Sequence, residues 1–166
     1  LPRPFDIATG VRLPVGEYRY GSGRAGFNFG KQRKISGNVL VERGSFYDGH
    51  KTALSVAQGR MSLTSRFTVE PTLTLNRVTL EEGSFTQTLV GSRVSFAATP
   101  LAFASALVQY NASTHSVSTN ARLRWEYQPG SEIFIVYNEQ RDTLAPAFPD
   151  LTNRSLIIKV NRLFRF

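Results

Sequence analysis

Between short, evenly spaced turn signals the residues of this chain alternate in character with period two, and that rhythm most restricts what it can fold into. It is clearest from Val117 to Tyr127. Val117, Thr119, Ala121, Leu123, Trp125 and Tyr127 fall on one side of an extended segment, and Ser118, Asn120, Arg122, Arg124 and Glu126 fall on the other. At the end of the chain Leu156, Ile158, Val160, Phe164 and Phe166 oppose Ser155, Lys159, Asn161 and Arg165. There Arg162 interrupts the apolar side, and Ile157 and Leu163 lie on the polar one. Thinner versions set Thr86, Thr88, Val90, Val94 and Phe96 against Gln87, Arg93 and Ser95, and Ala104, Ala106, Val108 and Tyr110 against Ser105, Gln109 and Asn111.

The rhythm predicts strands at 16–29, 34–47, 51–62, 67–80, 84–97, 101–112, 116–128, 131–140 and 153–166, and no helix. Residues 1–15 hold only a short, Pro-flanked apolar run, Phe5-Asp6-Ile7-Ala8, and read as an N-terminal loop or linker. Turn chemistry joins neighbouring strands as hairpins. Asp48-Gly49 suits a type I′ turn with positive φ at both central residues, Glu82-Gly83 a second tight turn, and Pro129-Gly130 a type II turn. The expected fold is all-β: an antiparallel up-and-down meander of about nine long strands over 16–166.

Such alternation fits either a soluble barrel or sandwich with the apolar face inward, or a transmembrane barrel with that face against lipid and a polar lumen. The soluble form would bind an apolar or anionic ligand. Three features favour the membrane form, as the C-terminal part of a barrel. The strands run about 10 to 14 residues, enough for a tilted span that needs about 9 to 11. Aromatics gather near strand ends, at Tyr18 and Tyr20, Phe46 and Tyr47, Trp125 and Tyr127, Tyr137, and Phe164 and Phe166, where rings sit at membrane interfaces. The chain also closes on an apolar strand ending in Phe166. No run of about 18 apolar residues occurs, so any span must be made of strands.

The ending Asn161-Arg162-Leu163-Phe164-Arg165-Phe166 resembles the C-terminal signal read by the outer-membrane barrel assembly machinery, with Ile158, Val160, Phe164 and Phe166 matching and Arg162 departing. The stretches 44–49 (Gly-Ser-Phe-Tyr-Asp-Gly), 107–111, 120–125 with Pro129-Gly130-Ser131, 134–138 and 161–164 are similar to the C-terminal barrel of a family of large, poorly characterised bacterial outer-membrane proteins. In that family a carbohydrate-binding-module-like domain precedes the barrel. The resemblance implies location in the outer membrane of a Gram-negative bacterium. It carries no chemistry; the terminal signal makes the assembly machinery an expected partner, the location adds outer-membrane lipid including lipopolysaccharide, and unpaired edge strands would be open to other barrel or membrane-protein subunits. The first residues, Leu1-Pro2-Arg3-Pro4, lack a Met and a signal-like apolar stretch, so the chain reads as a processed product or fragment. An odd strand count adds the expectation of further strands upstream.

Few residues invite catalysis. His50 and His115 are the two imidazoles, each in a predicted hairpin, and His115 beside Ser116 would need a hydroxyl bonded to the ring and a third orienting group, which neighbours in a strand do not provide. No cysteine, phosphate loop or metal-ligand spacing is present, so no enzyme activity, cofactor or metal is expected. The formal charge of +8 favours anionic surroundings, yet no interleaved basic and aromatic platform suggests nucleic acid. Asp142 and Asp150 flank the Pro-containing loop 140–152 and are candidates for a cation or sugar hydroxyls. The stronger functional candidates are the charges expected to face a lumen: Arg93, Arg122, Arg124 and Lys159, with Glu126 to pair some of them. Such charges either form an anion-favouring wall or fill a small barrel as paired ladders. Lys51 and Arg43 are candidates for lipopolysaccharide phosphates. Trp125, Tyr127, Phe164 and Phe166 are expected at the lipid side or interface.

Overall fold

The computed structural model describes residues 1–30, 32–144 and 150–164, apart from the side chain of Gln58. It is all-β. A short hairpin, β1 (Phe5–Ala8) and β2 (Val11–Leu13), precedes β3 (Ser22–Phe29), β4 (Ile35–Phe46), β5 (Gly49–Ser62), β6 (Phe67–Leu80), β7 (Gly83–Thr99), β8 (Ala102–Asn111), β9 (Ser116–Gln128), β10 (Ser131–Asp142) and β11 (Asp150–Asn161). Strands β3 to β11 form one antiparallel sheet in strict sequence order, the expected nine-stranded meander, and β3 and β11 each have one bonded neighbour.

Two expectations are corrected at the ends of the chain. The 1–15 segment is no plain linker, because Phe5, Asp6 and Ala8 pair with Leu13, Arg12 and Val11 around a turn in which Gly10 has φ +78°. The strands are too short for a period-two pattern to register. The final strand stops at Asn161, so Phe164 lies beyond it, and Phe166, Pro146 and Pro149 lie outside the described residues.

Turn chemistry is only partly as expected. Gly130 has φ +75°, as the second central residue of a type II turn requires. At the β4–β5 hairpin, however, Phe46 pairs with Gly49, so the central residues are Tyr47 and Asp48. Positive φ falls on Tyr47 alone, at +54°, the pattern of a type II′ turn rather than I′. Gly49 is instead needed for space: a Cβ there would lie 1.9 Å from the carbonyl oxygen of Thr79 on β6.

Bulges keep the two faces in step. A two-residue turn at Pro129-Gly130 would pair Ile133 with Glu126 and mix the faces, but a register shift between Ser131 and Glu132 pairs Ile133 with Trp125 instead. A second irregularity spans Val56–Met61 on β5, opposite Val69–Leu73. Pro71, which has no N–H to give a ladder, lies there, and Gly59 comes so close that a Cβ would stand 2.6 Å from the Pro71 carbonyl oxygen.

The buried hydrophobic residues described are few: Val11, Leu13, Val78 and Leu80, with Ile7, Ala8, Phe46 and Phe85 packed around them. This cluster joins the N-terminal hairpin to the sheet. Val78, Leu80 and Phe46 belong to the otherwise polar face, at the end carrying the β4–β5 and β6–β7 turns. Tyr18 and Tyr20, expected inside a strand, precede β3 and pack edge-on against Tyr47 at that end, with ring centroids 5.1 and 5.7 Å away.

Candidate functional site

Tracing bonded partners across the sheet sorts its side chains into rows. One face carries Ile35, Met61, Val69, Val94, Ala106, Ala121, Tyr137 and Leu156 in a single row across β4 to β11. The next row is Phe67, Phe96, Ala104, Leu123, Ile135 and Ile158. No element of the described chain covers these rows; Trp125 is 50% exposed and Ile158 60%. A shallow groove of about 430 Å³ runs along them where Ala104, Ala106 and Ala121 are flanked by Phe96, Leu123 and Tyr137.

Trp125 and Tyr127 lie on this face with ring centroids 6.3 Å apart, and Ile158 and Val160 face the same way on β11. Beyond the strand, Phe164 is exposed and carries the Arg162 guanidinium over its ring at 5.0 Å. The departing Arg162 of the terminal motif is thus stacked on one of its matching aromatics.

Charge appears on the apolar face at one margin. On β10 and β11 it is a cluster in which Glu139 accepts from Tyr137, Arg141 and Arg154, the last at 2.9 Å. On β4 and β6 it is Arg43 and Arg77, in one row through Thr52. Following partners from Glu139 through Thr119, Val108 and Ser92 leads to Pro71, six residues short of Arg77. The margin therefore crosses the sheet on a diagonal.

The opposite face carries the predicted lumenal charges. Arg93, Arg122, Arg124, Glu126 and Lys159 all point to it, but they are not paired as the sequence suggested. Glu126 accepts from the N–H of Gly130 at 3.0 Å and so braces the β9–β10 turn. The partner of Arg124 is Glu132 at 2.6 Å, and Arg93 faces Glu70 at 3.9 Å. Arg122 donates to the Asn120 side chain at 2.9 Å. Lys159 lies in register with Phe134, whose ring also lies 5.8 Å from the Arg124 guanidinium. A further pair, Arg24 and Glu42 at 2.9 Å, extends the ladder to β3 and β4. The acids were missed because register decides which of them meets which arginine, and a single bulge decides register. Lys51 also belongs to this face, its ammonium 5.6 Å from the Phe46 ring, so of the two bases considered for lipopolysaccharide only Arg43 lies on the apolar side.

His115 and Ser116 do not form a nucleophile pair. The Ser116 hydroxyl is 2.7 Å from that of Thr114, and His115, with φ +49°, closes the β8–β9 turn while its carbonyl accepts from Thr143. His50 lies in register with Ser45 and Thr79 beside the hairpin tip. Asp142 and Asp150 face one another as the last pair of the β10–β11 ladder, and Asp142 accepts from the N–H of Leu144 at 2.8 Å. No protein-family model, curated protein or solved structure matches the chain.

Proposed function

We propose that this chain is a non-enzymatic segment of an outer-membrane β-barrel, with its apolar rows against lipid and its Arg/Glu ladder toward a lumen, acting as a membrane anchor or a solute passage. The observation that carries the reading is the diagonal margin of the uncovered apolar face. Six residues along a strand, at about 3.3 Å each, against the four strand spacings of about 4.8 Å between β6 and β10, give a lean of roughly 45°. The same offset taken from Arg43 on β4 to Arg154 on β11 gives roughly 30°. These values bracket the tilt of about 35–45° with which strands cross a bilayer in membrane barrels. A flat lipid slab meeting leaning strands requires such a diagonal, whereas a soluble core imposes no charged margin of that slope.

Further support comes from the arrangement of the rest. Arg43 and Arg77 on the lipid side at the margin suit lipopolysaccharide phosphates, and Trp125 with Tyr127 suits the opposite interface. The N-terminal hairpin covers part of the polar face at the β4–β5 and β6–β7 tips, which narrows any lumen there. The reading agrees with the resemblance to the C-terminal barrels of large bacterial outer-membrane proteins and makes the barrel assembly machinery a partner.

The test uses the chain's single tryptophan as reporter. Trp125 fluorescence is recorded after reconstitution into vesicles of ordinary and of brominated phosphatidylcholine. Quenching by brominated chains is the expected result. A protein that purifies without detergent and whose Trp125 is indifferent to bromine would overturn the proposal and turn the apolar rows inward, as in a soluble ligand-binding barrel.

A further inference from the structure

The ion-pair ladder does not account for every charge on the polar face. A hollow of about 630 Å³ lies across β4 to β8 and is lined by Arg33, Arg60, Arg93, Glu70, Ser36 and Gln109, among others. Three guanidiniums meet one carboxylate there. Arg93 shares Glu70 at 3.9 Å, while Arg33 and Arg60 have no side-chain partner among the described residues. Arg60 reaches the hollow because of the β5 irregularity opposite Pro71, whose missing N–H and close approach to Gly59 shape the backbone at that point.

We propose that this hollow is a binding site for a multivalent oxyanion, inorganic phosphate or a small phosphate ester. Guanidiniums are planar, always charged, and present paired donors that match oxyanion geometry, and three of them around one space repel one another until an anion arrives. The Ser36 hydroxyl and the Gln109 amide add neutral donors at the wall. Glu70 acts as a competitor: it holds Arg93 and contributes the one negative charge. A monovalent halide would leave most of these donors unmatched, so the site discriminates by geometry and valence. Its use as a selectivity site for passing solute rests on the membrane-barrel reading, while binding itself does not.

The experiment is equilibrium dialysis of radiolabelled inorganic phosphate against the purified full chain at constant ionic strength, with chloride as competitor. Saturable binding that chloride does not displace is expected. Arg60→Gln should weaken it about tenfold, the loss of one charge-assisted hydrogen bond. Glu70→Gln should tighten it severalfold, and a gain cannot come from a misfolded variant. Absence of saturable binding, displacement by equimolar chloride, or a Glu70→Gln protein that binds no better than wild type would overturn the proposal. The two readings fail separately. A chain that stays soluble without detergent yet binds phosphate keeps the site and loses the lumen; a lipid-embedded chain that binds none loses the site alone.

Discussion

Replacing Leu13 with Ala should release the N-terminal hairpin while leaving the nine-stranded sheet intact. Leu13 is 0% exposed, and its neighbours Val11, Val78 and Leu80 are all under 10% exposed, so its side chain is the most enclosed apolar group described. Truncating such a leucine costs about 3 kcal/mol, toward the lower part of the usual range because a two-stranded hairpin can partly settle into the gap. With about 1.4 kcal/mol per factor of ten, that is about 150-fold in the opening equilibrium of the hairpin. The hairpin forms no ladder with the sheet, so the loss should stay local. Amide hydrogen exchange followed by mass spectrometry reads it directly: protection in peptides covering 5–13 should fall by about the same 150-fold, while peptides from β9 and β10 keep theirs. Unchanged protection in 5–13, or an equal fall in β9 and β10, would refute the idea that this cluster alone docks the hairpin.

Other outcomes follow from the two faces and the hairpin tips. Ile158→Arg puts a charge on the middle apolar row, and in a lipid bilayer it should destabilise the chain by about 2 to 4 kcal/mol in urea titrations from vesicles. An unchanged midpoint would mean that Ile158 does not meet lipid. Glu82 titrates above the ordinary carboxylate range. A hydrogen bond from its own backbone holds it down, but partial desolvation at the tip, a hydrogen bond with Asp48 and the charges of Asp48 and Glu81 outweigh that. Its proton is therefore held more tightly in the folded chain. The contact is at full strength below the ordinary Glu value and is lost as pH rises through the raised one. Glu82→Gln should flatten the pH dependence of thermal unfolding just above the ordinary Glu value, and a variant with the wild-type slope would discount the Asp48 contact.

Strand order and the identity of the two faces were legible in the residues because period two and hairpin spacing are local properties. The sequence of β9 alone separates Leu123, Trp125 and Tyr127 from Arg122, Arg124 and Glu126. Pairing across strands was not legible. Arg124 meets Glu132 rather than Glu126 because one residue, Tyr127, bulges out of the ladder just before the Pro129-Gly130 turn. The hollow around Arg33 and Arg60 depends on another bulge, near Gly59, that period counting reads as a continuous strand. The Asp48-Gly49 signal placed its hairpin correctly and its turn type wrongly, since Tyr47, packed among Tyr18, Tyr20 and Phe46, takes the positive φ itself.

Because each strand of the large sheet bonds only to its neighbours in the sequence, the sheet is topologically a linear polymer of hairpins. Severing the chain between Glu81 and Glu82 would divide it into two contiguous blocks, β3 to β6 and β7 to β11, with no strand left on the wrong side of the cut. The blocks would share one seam of fourteen residue pairs, from Phe67 with Phe96 to Leu80 with Gly83. Fragments cut there are natural halves for complementation, each holding its own ladders complete and joined to the other by that one ladder and, at its tip end, by the packing of the N-terminal hairpin on Phe85.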